Sequence, residues 1–313
     1  MNSVRIDCSV IIPSRNRSDT LFRVLRALEK QKTGAEFEVI VVDDQSTDST
    51  MNQLTRYIHN TALKLLCLSG KGLGAACARN IALDQAQGEW LIFLDADTIP
   101  ETGFVQKHLH WLNRLGEKAC VVGRNRVSAE LSAEQQIRIP ENSFQNAKDM
   151  TEIDWPEYRT GNSSMSRRLC VLAGGFNENL RAAEDTELAA RLAQQGARFY
   201  YIPYIKTVHH HPLDLDAFFQ KAALYGHAAA CWYQKAPEYR RLLVYRYGVY
   251  APELSLFKKI KYRLRSILIN EYTIPGIIRC GKYLSSHLGI SERLYKSVFQ
   301  FHTRQAFKHG TTR

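Results

Sequence analysis

A chain of 313 residues with 45% apolar and 23% charged residues can bury one large core or two modest ones, which excludes a disordered or low-complexity protein. Its seven cysteines are odd in number and form no CxxC pair, which argues against a disulfide framework or a zinc knuckle and for a reducing compartment. The net charge of +11 is lopsided: residues 255–313 carry 12 Lys/Arg against 2 Asp/Glu, whereas residues 1–254 are almost neutral with 30 against 29.

The opening MNSVRIDCSVIIPSRN has too short an apolar run, ended at Pro13, to read as a secretion signal. No stretch approaches the roughly 18 uninterrupted apolar residues of a spanning helix. The expectation is a cytoplasmic protein, with any membrane contact peripheral and on the inner face. CSVIIPS then reads as a strand, and SDTLFRVLRALEKQ as a helix with Leu21, Val24, Leu25 and Leu28 on one face and Ser18 or Asp19 as its cap. FEVIVVDD is a second strand; STDSTMNQLTRYI is a helix with Asp48 as a cap and Met51, Leu54 and Ile58 inward. LKLLCL, GAACARNIALDQA and EWLIFLD follow as strand, helix and strand. Strands alternating with helices of this length form crossover units on a mostly parallel sheet. Continuous apolar runs mark strands covered on both faces, so the class is α/β with helices flanking the sheet.

Ligands of such sheets sit beyond the C-terminal ends of the strands. Three tips there are polar: PSRNR, DDQSTD and DADT. Each alone reads as a turn; three converging on one edge point to a site. The first strand lacks a GxGxxG turn, against a dinucleotide fold, although the glycines of GKGLGAACARN could bring backbone N–H groups to a phosphate. Asp95 and Asp97 are hard oxygen donors suited to Mg²⁺ or Mn²⁺ on phosphate oxygens. Side chains one residue apart on a strand point opposite ways, so one carboxylate can hold the metal while the other reaches a ribose. Glu184, Asp185 and Glu187 crowd the first turn of a helix, where acids complement the dipole and where a general base is rigidly held. Three histidines in TVHHHP, at a strand end, suggest at least one metal ligand.

The ordered set SVIIPSRNR, VIVVDDQSTDST, GLGAACARN, GEWLIFLDADTIP, TGNSSMSRR, GGFNENLRAAEDTELAARL and TVHHHP resembles a family 2 glycosyltransferase of the GT-A fold, over roughly residues 8 to 211. The resemblance implies transfer of a sugar from a nucleotide diphosphate donor, a UDP-sugar foremost, with inversion and with Mn²⁺ or Mg²⁺. By matching position it implies that Pro13, Ser14, Arg15, Asp43 and Asp44 line the base and ribose pocket, and that Gly72 and Arg79 contact the donor. Asp95, Ala96 and Asp97 match the DxD motif, Asp97 being the direct metal ligand. Glu184 and Asp185 match the ED motif, Asp185 being the catalytic base. The metal histidine is His210, with His209 or His211 open alternatives; Gly161 and Asn162 match the stretch near the acceptor. Two departures stand out: Gly72 where relatives often carry Asn, and Asn177 where GGFDE is usual.

Residues 1–211 thus form the expected catalytic domain and residues 212–313 a helical, basic, amphipathic region. LDLDAFFQKAALYGHAAACWY (213–233) reads as one helix. In SLFKKIKYRLRSILIN, Leu256, Phe257, Ile260, Leu264, Ile267 and Leu268 share one face, with Lys258, Lys259, Lys261, Arg263 and Arg265 on the other; Pro275 breaks it, and ERLYKSVFQFHTRQAF resumes. A basic amphipathic helix fits an anionic membrane surface, and with it a glycan or lipid-linked acceptor from cell-surface polysaccharide or glycolipid synthesis. No motif points to nucleic acid. A nucleotidyltransferase, or a non-catalytic sugar-nucleotide or lipid-binding module, are the competing readings.

Overall fold

The computed structural model describes residues 5–131, 147–211, 214–247, 255–257, 260, 267–284 and 288–311. They fall into two compact units. The first comprises Met1–Ser128, Asn142–Asn179 and Glu184–His210; the second comprises Ala129–Glu141, Leu180–Ala183 and His211–Arg313.

The first unit opens with the expected alternation: β1 (Cys8–Ser14), α1 (Ser18–Glu29), β2 (Phe37–Asp43), α2 (Thr50–Ile58), β3 (Leu65–Ser69), α3 (Ala75–Gln85) and β4 (Trp90–Leu94). It continues with β5 (Thr98–Pro100), α4 (Phe104–Leu115), β6 (Ala119–Val127), β7 (Thr151–Ile153), β8 (Asn162–Ser166), α5 (Arg167–Leu172), α6 (Glu184–Gln194) and β9 (Arg198–His209). The strands form one sheet in the order β3-β2-β1-β4-β8-β6-β9-β5, with β7 also on β9. The run β3-β2-β1-β4 is parallel; β8 lies antiparallel between β4 and β6, and the sheet is mixed from there on.

Alternate strand residues serve opposite faces, as pleating requires. Val10, Ile12, Val39, Val41, Ile92 and Leu94 pack with Leu21, Leu25 and Leu28 of α1 and Leu109 and Leu112 of α4. Ile11, Ile40, Val42, Leu91 and Phe93 pack on the other face with Ala78 and Ala82 of α3 and Leu188 and Leu192 of α6. Both faces are covered by buried apolar side chains, which is why these strands read as unbroken apolar runs. Pro13 does not end β1: pairing with β4 stops at Ile11, and the strand continues through Ser14 against β2 alone. Neither Ser18 nor Asp19 caps α1. The Asp48 carboxylate accepts from the Ser18 N–H at 3.1 Å and the Thr50 N–H at 2.9 Å, so one side chain serves the starts of α1 and α2. Burial pushes the Asp48 pKa up, but the hydrogen bonds from Thr50 and Ser18 outweigh it and hold it below the usual value.

The second unit is helical: α7 (Leu215–Lys235), α8 (Arg240–Tyr247), and the helices Ile274–Tyr283 and Leu288–Thr311. Its core gathers Phe218, Phe219, Ala222, Ile274, Tyr295, Val298, Phe299 and Phe301. Gly226 lets α7 and the last helix touch, since a Cβ there would lie 2.2 Å from the Thr303 carbonyl. Leu180 and Ala182 pack with Ala228, which is how Leu180–Ala183 joins this unit. Pro275 does not break a helix but stands in the first turn of Ile274–Tyr283, where a missing N–H costs nothing. Of the amphipathic stretch, Lys258, Lys259, Lys261, Arg263, Leu264 and Arg265 lie outside the described residues. No helix among the described residues is long and apolar enough to cross a membrane.

Candidate active site

The tips of β1 and β2 are cross-braced. Asp43 accepts the Ser46 N–H at 3.1 Å and also its hydroxyl. Asp44 is buried; its N–H donates to the Ser14 carbonyl at 2.8 Å, and its carboxylate accepts from the Gly72 and Gly74 N–H groups at 2.8 and 2.7 Å. Gly72 and Gly74 adopt φ of +72° and +93°, the left-handed backbone that wraps this loop around Asp44. Those two N–H groups, candidates for a phosphate by sequence, are therefore engaged by a carboxylate. The Arg15 guanidinium stands 4.0 Å from Asp44. The Asn16 N–H donates to Ser46 Oγ at 2.8 Å, and its Oδ1 accepts the Thr47 N–H at 2.7 Å. Ser14 Oγ is buried with no hydrogen-bond partner among the described residues, an orphan of the kind that marks ligand sites.

At the tip of β4 the chain turns, Thr98 N–H donating to the Asp95 carbonyl at 3.0 Å, and Ala96 packs into the core. The two carboxylates part company. Asp95, 40% exposed, meets the Arg79 guanidinium at 3.0 Å; Asp97, 11% exposed, meets Arg17 Nε at 3.4 Å and His209 Nε2 at 3.4 Å. Gly161 abuts Asp95: a Cβ there would lie 2.7 Å from Asp95 Oδ2.

Sheet register separates the histidines. β5 runs antiparallel to β9 with Thr98 opposite His209, which carries that imidazole to the β4–β5 turn. The His210 N–H donates to the Asp97 carbonyl at 2.8 Å, but its ring Nδ1 pairs with Ser128 Oγ at 2.9 Å. His211 belongs to the second unit. The carboxylate is a hard oxygen donor suited to Mn²⁺ or Mg²⁺, the imidazole beside it favours Mn²⁺ of the two, and either ion completes its coordination with water and substrate phosphates. Among the described residues no group of three or more His, Cys, Asp or Glu gathers, so a cation at Asp97 and His209 would depend on the donor for its remaining ligands.

Arg79 joins the two acidic motifs. It is 4% exposed, and its terminal nitrogens reach Glu184 at 2.8 Å and Asp95 at 3.0 Å, while its guanidinium lies over the Phe176 ring at 5.4 Å. Both ends of the fork are taken by carboxylates, which ties Asp95 to the head of α6. Burial pushes the Glu184 pKa up, with Arg79 pulling it down and Asp185 adding to the rise. The same field, from Asp95 first and then Glu184, overcomes burial and raises the Arg79 pKa. Asp185 is half-buried; its Oδ1 accepts the Thr186 N–H at 2.7 Å, and its Oδ2 accepts no hydrogen bond among the described residues.

Three features escape the sequence reading. Asn162 is buried, its Oδ1 3.1 Å from His108 Nε2 and its Nδ2 3.3 Å from the Ile205 carbonyl, so its side chain braces the sheet and does not face solvent. His108 is buried too, with Nδ1 on Ser164 Oγ at 2.8 Å; burial drives its pKa down to about 3. Asn80 clamps the Phe176 backbone, accepting its N–H at 2.8 Å and donating to its carbonyl at 2.9 Å. Helical spacing marked Asn80 only as a helix residue, and the segment that holds His108 carried no reading. Asn177, the departure from GGFDE, makes a turn, its Oδ1 accepting the Asn179 N–H at 3.1 Å.

A family profile described as glycosyl transferase family 2 matches residues 9–171, just over half of the chain. The poly(ribitol-phosphate) beta-N-acetylglucosaminyltransferase TarS of Staphylococcus aureus is 41% identical over 90 residues, 28% of this chain and 16% of that protein. Chondroitin synthase of Pasteurella multocida is 26% identical over 240 residues, 66% of this chain and 25% of that one. The chain thus spans a quarter or less of the length of these two relatives. Among solved structures, S. aureus TarS 1–349 in complex with UDP-GlcNAc matches with TM-score 0.57 and 16% identity, covering 97% of this chain and 92% of that one. The mannosyltransferase PcManGT from Pyrobaculum calidifontis, in complex with GDP-Man and Mn²⁺, matches with TM-score 0.65 and 19% identity, covering 96% and 86%.

Proposed function

This chain belongs to glycosyl transferase family 2 and has the GT-A fold, and from that premise we propose that it is an inverting glycosyltransferase using a nucleotide-diphospho-sugar and a hydroxyl acceptor. The observation that carries this reading is the Arg79 bridge: Arg79, 16 positions from Asp95 and 105 from Glu184, ties the end of β4 to the start of α6, where Asp185 also stands. A donor site and a base site thereby share one sheet edge.

The braced carboxylates of Asp43 and Asp44, with the orphaned Ser14 hydroxyl, Pro13 and Arg15, line the proposed nucleoside pocket. Asp95, Ala96 and Gly72 extend it toward the diphosphate. A divalent cation at Asp97 and His209 would supply Lewis-acid neutralisation of the departing diphosphate. Asp185 Oδ2 takes the proton of the acceptor hydroxyl as that oxygen bonds to the anomeric carbon. The bond from that carbon to the diphosphate oxygen breaks on the opposite face, and its electron pair leaves with the nucleoside diphosphate. Glu184, neutralised by Arg79, fixes the head of α6 without sharing that proton. TarS and PcManGT were solved with UDP-GlcNAc and GDP-Man, which supports the donor class and keeps a UDP-sugar as first candidate. A glycan or lipid-linked acceptor, in cell-surface polysaccharide or glycolipid synthesis, completes the proposal, with Gly161, which abuts Asp95, as its proposed contact.

The test is a panel of UDP-, GDP- and dTDP-sugars with Mn²⁺, scored for donor hydrolysis and transfer. Asp185→Asn should lower turnover by about 10²–10⁴-fold, the usual worth of general-base help, with donor affinity within a few-fold. Full turnover in that variant refutes the assignment. Donor binding without turnover in the native protein favours the non-catalytic module, and pyrophosphate release from a nucleoside triphosphate plus a sugar phosphate favours a nucleotidyltransferase.

A further inference from the structure

The second unit carries side chains that its own core does not use. Tyr272 is 95% exposed, Tyr283 87%, Phe257 77%, Leu256 74%, Leu268 72% and Ile267 68%, and these are the six most exposed large hydrophobics among the described residues. Ile260, 49% exposed, falls in the same stretch. Scattered single exposed hydrophobics are ordinary on soluble proteins, but a concentration within 28 consecutive positions is not. Their neighbours Ile269, Ile277 and Ile278 turn inward onto the Phe218–Phe299 core. Residues 267–284 therefore have a satisfied inner side and exposed side chains outside it, and Leu256, Phe257 and Ile260 are exposed likewise.

Charge identifies what covers the outer side. Arg279 and Lys282 are exposed beside Tyr283. In sequence, residues 255–270 contain no acid, and residues 255–313 carry a net charge of +10. A second copy of this chain would bring two such surfaces together against their own repulsion. A nucleic acid would neutralise the charge but leave Leu, Phe and Ile side chains in water. An anionic bilayer offers an apolar phase and a negative layer in one plane, with tyrosines at home at the boundary between them. We infer that this face of the second unit docks on an anionic lipid surface. Apolar insertion supplies the residence, and each basic residue near the headgroups adds about 1 kcal/mol by the general scale for such surfaces.

The test is flotation of the full chain, without donor or acceptor, on phosphatidylcholine vesicles with and without about one third phosphatidylglycerol. The chain should float with the anionic vesicles at least about tenfold more tightly than with neutral ones, and high salt should weaken that binding. Phe257→Asp and Leu268→Asp should each weaken it about tenfold or more, Phe257→Trp should retain it, and Arg279→Glu with Lys282→Glu should weaken it at low salt only. These side chains lie outside the core, so the thermal midpoint should not move. Equal affinity for both vesicles, no response to Phe257→Asp, or a dimer that Phe257→Asp dissolves would each overturn the inference. So would tight binding to an RNA oligonucleotide that Phe257→Asp leaves unchanged. Because the readout needs no turnover, its failure would leave the glycosyltransferase reading standing, and the reverse holds as well.

Discussion

Replacing Arg79 with methionine removes the one charge that two carboxylates share. Methionine keeps much of the stem volume, so the loss is electrostatic and not a cavity. Breaking a buried pair by deleting one partner typically costs about 3–5 kcal/mol, because the remaining charge is left without compensation. The two halves do not contribute equally. Asp95 is 40% exposed, so water replaces most of what it loses, and its share is about 1 kcal/mol or less. Glu184 is 15% exposed and carries the rest, which gives a total destabilisation of about 3–4 kcal/mol at neutral pH. Burial already raises the Glu184 pKa, and without Arg79 it rises further. An acid whose folded pKa exceeds its unfolded one binds more protons when folded, so the variant should regain stability as pH falls. Urea unfolding followed by tryptophan fluorescence, from pH 8 down to pH 5, measures both effects. Adding Glu184→Gln should recover most of the loss. A single-variant cost below about 1 kcal/mol, or a double variant no better than the single, would refute the bridge as the tie between β4 and α6.

His108 sets a second dependence with its own sign. Its folded pKa, lowered by burial to about 3, lies below the unfolded value, so the unfolded chain takes up the proton first; stability is lost as pH falls below about 6.5, by at most about 1.4 kcal/mol per unit from this group. His108→Gln should flatten that slope in urea midpoints between pH 6.5 and 4.5, and an unchanged slope would exclude His108 as its source. At the proposed cation site, Asp97→Ala and His209→Ala should each weaken Mn²⁺ binding in the presence of UDP by about tenfold or more, while His210→Ala stays within about threefold. Electron paramagnetic resonance of free Mn²⁺ reads this directly, and a larger loss in His210→Ala than in His209→Ala would reassign the ligand.

The local grammar of the chain was readable before any folding. The apolar runs CSVIIPS, FEVIVVDD and EWLIFLD became β1, β2 and β4, because a strand covered on both faces has no polar alternate positions to confuse the pattern. Polar strand tips marked one edge of the sheet because the apolar runs of β1, β2 and β4 give way to polar residues where those strands leave the core. The partners at that edge were less legible. Arg79 lies 16 positions from Asp95 and 105 from Glu184, and no periodicity links such separations. Asn162 matched the stretch near the acceptor by position, yet it sits at the start of the antiparallel β8, where pairing opposite Leu94 carries it inside.

What the sequence determined alone was therefore the order of strands and helices in the first hundred residues, the acidic character of the sheet edge and the basic, apolar-faced character of residues 255–313. Helical and strand periods are properties of short windows, and charge is additive along the chain. Only the tertiary structure decided that His209 sets its ring nitrogen 3.4 Å from Asp97 while His210 sets its Nδ1 on Ser128, because the antiparallel register of β5 on β9 carries His209 to the β4–β5 turn. It also decided that Arg79 spans two carboxylates, since those three groups meet only where β4, α3 and α6 converge. A one-residue slip in a strand reverses every side chain on it, and that choice is made by pairing between distant segments.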